Sequence, residues 1–210
     1  MKMAVVAANG RVAGRIITEA VNRGIDVTAF GRKDSNNTDA KNYIKKDIFD
    51  LTKEDLAGFD VVADAFGAWT PETLPQHSTT LAHLLNLLGG TDTRLIIVGG
   101  AASLYTDGEH KTTLFDTPDF PEDYKPVAGA MAKALSELRE NKDVKWTYIS
   151  PAAEFVADGE RTGEYILAGE ELTLNSKGES VISYADYAIA FVDEAVSGNH
   201  IQERISVLGK

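Results

Sequence analysis

The 210-residue chain contains no cysteine. That absence excludes disulfides, thiol nucleophiles, thiolate zinc sites and iron–sulfur clusters together. The expected setting is cytoplasmic, although a cysteine-free chain is also compatible with export. The four histidines, His77, His83, His110 and His200, show no metal-ligand spacing, so no metal site is expected. No apolar run reaches membrane-spanning length, because Gly or Arg breaks the longest ones. Met1-Lys2-Met3 enters an apolar segment directly, without the regions of a signal peptide. H-E-x-x-H, G-x-S-x-G and Walker A patterns are missing, as are internal repeats and low-complexity tracts. Basic residues are outnumbered, 21 against 32, for a net charge of −11. Such a surface repels nucleic acid and anionic membrane, so neither is expected as a partner.

The cations that are present cluster. Residues 1–33 hold Lys2, Arg11, Arg15, Arg23, Arg32 and Lys33 against Glu19 and Asp26, a local excess of +4 in an acidic protein. A small anion bound there would explain it, and so would chance. The hydrophobic pattern in the same region reads strand (Met3–Ala7), helix (Ala13, Ile16, Ile17, Ala20 and Val21 on one face, stopped at Gly24) and strand (Asp26–Phe30). Together they make a βαβ unit. Further strands are expected at Tyr43-Ile44, Asp60–Phe66, Arg94–Val98 and Lys145–Ser150, with helices around Leu81–Leu88 and over Val127–Glu140. Thr52-Lys53-Glu54-Asp55 has the pattern of a capping box. A late helix, Asp186–Val196, and a last strand, Arg204–Val207, follow. This alternation specifies an α/β fold, a Rossmann-like doubly wound parallel sheet.

Two stretches interrupt the alternation. Residues 101–126 form a long connection whose Tyr105, Phe115, Phe120 and Tyr124 favour an ordered flap. Residues 152–183 suggest a small C-terminal α+β subregion beside the substrate, with a hairpin of Tyr165–Leu167 and Leu172–Leu174 around Gly169-Glu170. No linker is evident, so residues 1–210 are expected to be a single domain.

The turn between the first strand and helix, AANGRVAG, has one glycine, Gly10, where phosphate would approach closely. Ala7 and Ala13 fill the other small-residue places, and at position 7 alanine suits only a negative φ. This loop resembles the G-A-T-G-R-x-G loop of atypical short-chain dehydrogenases/reductases. The likeness is to their NAD(P)H–flavin reductase branch, which is related to biliverdin reductase B and to nitrogen-repression regulator-like proteins. It continues through FGRK, KKDIFDLT, VVADAFG, LIIVGGAASL, YKPVAGAMAKALSELR, WTYISPAAEF and ISYADYAIAFVDE, nearly the whole chain.

The resemblance implies that Asn9, Gly10, Arg11 and Val12 cradle a pyrophosphate. Asp47 and Ile48 would meet the adenine, Ala65, Phe66 and Gly67 the ribose, and Gly99 with Gly100 the nicotinamide half. Where NAD enzymes carry an acid at the end of the second strand, this chain has Gly31-Arg32-Lys33, so NADP(H) is expected over NAD(H). Arg32 would pair with the 2′-phosphate and Arg11 would approach it from the loop. None of the seven tyrosines has a lysine four residues later, and four residues before Lys133 stands Gly129. The Tyr-x-x-x-Lys pair of the better-known short-chain dehydrogenases is therefore missing. Lys133 would at most hold the nicotinamide ribose, though an exposed helix lysine looks the same. Ser103 is the polar candidate on the substrate side, and Ser150-Pro151 would face the same crevice.

The expected function is an NADPH-dependent oxidoreductase passing hydride to a planar small-molecule acceptor. Flavin comes first, as substrate rather than prosthetic group, and quinone next. A non-catalytic NADP(H)-binding sensor is the alternative. An epimerase-like enzyme fits less well, since those normally keep the tyrosine.

Overall fold

The computed structural model describes residues 1–210. Its centre is an eight-stranded sheet made of β1 (Lys2–Val6), β2 (Asp26–Gly31), β3 (Asn42–Lys45), β4 (Val61–Asp64), β5 (Arg94–Val98), β6 (Lys145–Ser150), β8 (Ile166–Ala168) and β10 (Glu203–Leu208). The spatial order is β3-β2-β1-β4-β5-β6-β10-β8, and only the β8 edge runs antiparallel. β7 (Glu154–Val156) and β9 (Val181–Ser183) pair separately, parallel to each other.

The short apolar runs become strands because both faces of the sheet are covered. Along β1, Met3 and Val5 point into one core with Ile16, Ile17, Tyr187 and Phe191 of α1 (Arg11–Asn22) and α5 (Tyr184–Ser197). Ala4 and Val6 point into the other, with Leu81, Leu84, Leu135 and Leu138 of α3 (Gln76–Leu88) and α4 (Lys125–Glu140). The expected capping box forms at Thr52 and Asp55 and opens the short α2 (Lys53–Leu56). No helix is long and apolar enough to cross a membrane.

Two expectations are corrected. The hairpin does not form. Ile166–Ala168 instead lies against β10, with Leu167 opposite Val207, and the Leu172 N–H donates to the Tyr105 carbonyl at 2.8 Å. The alternating residues are satisfied by the open edge of the main sheet and by the flap, not by each other. The second correction concerns Ala7, whose φ is +54°. The turn needs a left-handed residue there, and alanine supplies it at a cost of about 1 kcal/mol.

The 101–126 connection is ordered by contacts at its base. Tyr105 bridges to both Thr113 and Glu171, and Phe115 packs on Phe120 with centroids 5.5 Å apart. Beneath it the side chain of Arg204 is fully buried. Its guanidinium donates to the Glu170 carboxylate, to the Glu170 carbonyl at 3.0 Å and to the Ser103 carbonyl at 3.3 Å. Arg139 grips the same carboxylate at 2.7 and 2.9 Å. Burial alone would raise the Glu170 carboxyl, but the bonds from Arg139 and Arg204 hold it below its ordinary value.

Candidate functional site

The strand order reverses between β1 and β4, and in such sheets the crevice opens there, beyond the strands' carboxyl ends. A cleft of about 790 Å³ occupies that place. One end is polar and cationic, lined by Asn9, Gly10, Arg11, Arg32, Lys33, Lys46 and Asp47. The other is apolar and aromatic, lined by Phe66, Trp69, His77, Val98, Val127, Met131, Phe155 and Tyr184.

Helix α1 begins at Gly10 with extended backbone (φ −76°, ψ 159°) and no side-chain cap. Its first N–H groups are left to a ligand, and the positive end of the helix dipole faces the cleft. Gly10 also has room: a Cβ would come no nearer than 3.6 Å to the Ala7 carbonyl oxygen.

Asn9 does more than follow the loop. Its Oδ1 accepts from the Lys33 N–H at 3.2 Å and from the Tyr43 hydroxyl at 3.3 Å, and its Nδ2 donates to Asn37. This side chain crosses the backbone of Gly31, where a Cβ would stand 2.3 Å from Asn9 Oδ1. Asn9 thus ties the β1–α1 turn to the β2–β3 loop. Arg32 stands 79% exposed with Nε 3.9 Å from Asp47 Oδ2. Lys33 makes no ion pair, whereas Lys46 is held by Asp55 at 2.7 Å. Arg11 is engaged elsewhere: Nη2 donates to Asp158 at 2.8 Å, and its guanidinium lies 5.9 Å from the Tyr184 ring centre. In the ligand-free structure that placement joins it to the 152–183 subregion.

Of the residues expected at the site, Asn9, Gly10, Arg11, Val12, Arg32, Asp47, Ile48, Ala65, Phe66, Gly67 and Gly99 all line this cleft. Asp47 also caps a short turn, accepting from the Phe49 N–H at 3.0 Å. Gly99 is obligatory for a packing reason, since a Cβ there would fall 2.2 Å from Tyr148 Cε1.

Lys133 and Ser103 do not line the cleft. Lys133 is exposed on α4, with Nζ 2.5 Å from Glu137. It turns away from the face that carries Met131, as a residue two positions along a helix must. Ser103 belongs to the buried Arg204 cluster, its Oγ 3.4 Å from Nη1. Ser150 is spent the same way, leaving Pro151 alone of that pair at the cleft. The flap aromatics likewise do not line it; Tyr105 is stacked on His110 at 4.4 Å.

Sequence reasoning missed Trp69, His77, Met131, Phe155 and Tyr184. Trp69 is 71% exposed at the mouth. His77 is buried; its Nε2 donates to the Ala68 carbonyl at 3.1 Å, and its ring meets Phe66 edge-on. Burial lowers its pKa, so the imidazole is neutral near pH 7. Asp64, at the end of β4, is 4% exposed, and burial raises its carboxyl to about 6 despite an opposing bond from the Phe66 N–H. The one legible signal for Asp64 was an acid inside an apolar strand.

Residues 7–195 match the NAD(P)H-binding family. The chain belongs to that family. A protein of Bacillus subtilis, YwnB, whose function is uncharacterised, is 41% identical over all of this chain and 99% of its own length. A proposed NADH-flavin reductase from Streptococcus pneumoniae has a solved structure that is 56% identical over the full length of both chains, with a TM-score of 0.98. A proposed epimerase from Bacteroides thetaiotaomicron is 31% identical over 99% of this chain and 96% of its own, with a TM-score of 0.87. The atypical short-chain dehydrogenase/reductase likeness and the Rossmann-like fold therefore both stand for this NAD(P)H-binding protein.

Proposed function

We propose that this chain is an NADPH-dependent reductase of planar acceptors, flavins first and quinones next. The observation that carries the reading is the two-ended cleft: an uncapped helix N-terminus beside Arg32 and Lys33 at one end, an aromatic and aliphatic slot at the other. The cationic end suits a pyrophosphate and a 2′-phosphate. Lys33 is unpaired and Arg32 is only loosely held, so either can turn to a phosphate at small cost. The name of the Streptococcus pneumoniae relative specifies NADH; the cations at the β2 end favour NADPH here.

Bound in this cleft, a nicotinamide would supply hydride. The chain's own part is to hold and orient. Gly99 lets the β5 loop lie flat over Tyr148, Gly100 leaves room for Met131, and Val98, Val127 and Met131 exclude water from the slot. Trp69, Phe155 and Tyr184 offer ring faces to a planar acceptor. Proximity and orientation suffice for such a transfer, so the lack of a Tyr-x-x-x-Lys pair is no obstacle.

The test is NADPH oxidation with FMN, FAD and menadione, each against a no-acceptor control. Turnover at about 1 s⁻¹ or faster supports the reductase. Tight NADPH binding with no acceptor reduced would instead mark a sensor of the NADP(H) pool.

A further inference from the structure

Beneath the apolar end of the cleft lies a small cavity of about 20 Å³, enough for one water. Asp64, Tyr148 and His77 bring the polar groups to it, and Phe66, Val98 and Met131 are among its apolar walls. Phe66, His77, Val98 and Met131 also line the cleft above. These shared side chains place the cavity directly beside the position where an acceptor would be reduced.

Asp64 is an exception among the buried acids. Glu19 is paired with Arg23 and Arg161, Glu194 with Arg94 and His200, and Asp186 accepts from Thr162 and from the Gly163 N–H. Asp64 receives one hydrogen bond, from the Phe66 N–H to Oδ1 at 3.0 Å, and no cation lines its cavity. An unpaired buried carboxyl is costly to keep and is more easily explained by use than by stability. The neighbouring Tyr148 hydroxyl accepts from the Gly100 N–H at 3.0 Å, so its own proton remains free to donate. Gly99 and Gly100 line the cleft, and Tyr148, itself behind that lining, reaches its nicotinamide side through the bond from the Gly100 N–H.

We infer that Asp64 and Tyr148 form an internal proton store for the reduction. The Asp64 carboxylic acid would release its proton, through the water-sized space and the Tyr148 hydroxyl, to the acceptor atom made basic by hydride arrival. This inference rests on the reductase reading. The step balances: the acceptor takes two electrons and one hydrogen as hydride, then one proton. Asp64 is left as a carboxylate and is reprotonated from solvent after product leaves.

The groups facing Asp64 are His77 from α3 and Tyr148 from β6; α4 contributes only Met131 and Ala134. Burial favours the neutral form of all three titratable groups. Arg139 and Arg204 act on Tyr148 and oppose that trend there. Neutral Asp64 holds a proton to give, and neutral His77 does not compete as an acid.

The test uses the full chain. Aspartate carboxyl carbons are followed by NMR in the ligand-free protein from about pH 4 to 8, while anaerobic single turnovers of bound NADPH with menadione are timed over the same range. One carboxyl is expected to titrate near 6 and to vanish in Asp64→Asn. Above that midpoint the wild-type rate should fall about tenfold per pH unit. In Asp64→Asn it should be slower and flat, with NADPH affinity unchanged. An active wild type whose pH profile survives in Asp64→Asn overturns the proton store alone. A wild type that binds NADPH but reduces nothing overturns the reductase reading and this step with it. Where Asp64→Asn does not fold, the wild type decides: coincident midpoints for carboxyl and rate support the store, and separate midpoints overturn it.

Discussion

Asn9 lies across Gly31 and holds the Lys33 backbone, and this arrangement sets where Arg32 and Lys33 stand. The two cations at the end of β2 are thereby fixed by a contact made from another loop. Replacing Arg32 by Ala is expected to cost about tenfold or more in NADPH affinity and to leave NADH affinity unchanged, as for a lost charge-assisted bond. Titration calorimetry with both cofactors reads this directly, and an unchanged NADPH/NADH ratio would remove Arg32 from the assignment. Asp64 makes a second prediction at this scale. Its folded carboxyl is raised to about 6 from 3.8, so its contribution to stability is complete below the unfolded value and is lost as pH rises through the folded one. Between pH 3 and 7 that loss amounts to about 3 kcal/mol, an order-of-magnitude figure. Urea denaturation of Asp64→Asn should lack this component. A third concerns Ala7, left-handed at φ +54°. Ala7→Gly should raise stability by up to about 1 kcal/mol in the same assay, strain relief exceeding the entropic cost. At this scale the sequence showed best those residues whose roles follow from backbone position. Gly10, Arg32, Asp47 and Gly99 sit at fixed points of a βαβ pattern and all reach the cleft. Lys133 and Ser103 do not, because helix facing and the pull of a buried arginine are tertiary facts.

Helix α1 is best understood with its missing cap. The Gly10 start leaves the first N–H groups for an anion, a local instability that bound phosphate would offset. The cluster of Arg204, Glu170 and Arg139 acts in the opposite sense, tying β10, the β8 turn and α4 to the base of the flap. Glu170→Ala would strand the fully buried Arg204 side chain. The expected cost is about 3 kcal/mol in stability, with faster hydrogen exchange at the Tyr105 and Leu114 amides, which bond within this base. Loss of stability without faster exchange there would separate the cluster from flap order. The strands and helices that alternate regularly were legible because each must bury a face against the sheet. The hairpin was misread because the alternation in Tyr165–Leu174 carries no information about its partner. The β10 edge and the flap offered better ones.

Across the molecule, an acidic chain of net charge −11 presents a cleft with four cationic side chains and a single carboxylate, Asp47. The excess of positive charge in residues 1–33 was visible in the sequence, and the fold brings Arg11, Arg32 and Lys33 from it to one crevice. NADPH affinity should accordingly weaken as salt rises, since exposed charges such as Arg32 are screened within about 8 Å at physiological ionic strength. The central claim is that NADPH bound in this cleft passes hydride to a planar acceptor. Its most direct test is an anaerobic single turnover: the stoichiometric NADPH complex is mixed with menadione or FMN and the nicotinamide absorbance is followed. Complete oxidation of the bound cofactor at about 1 s⁻¹ or faster is the predicted result. Bound NADPH that stays reduced in the presence of every acceptor would contradict it.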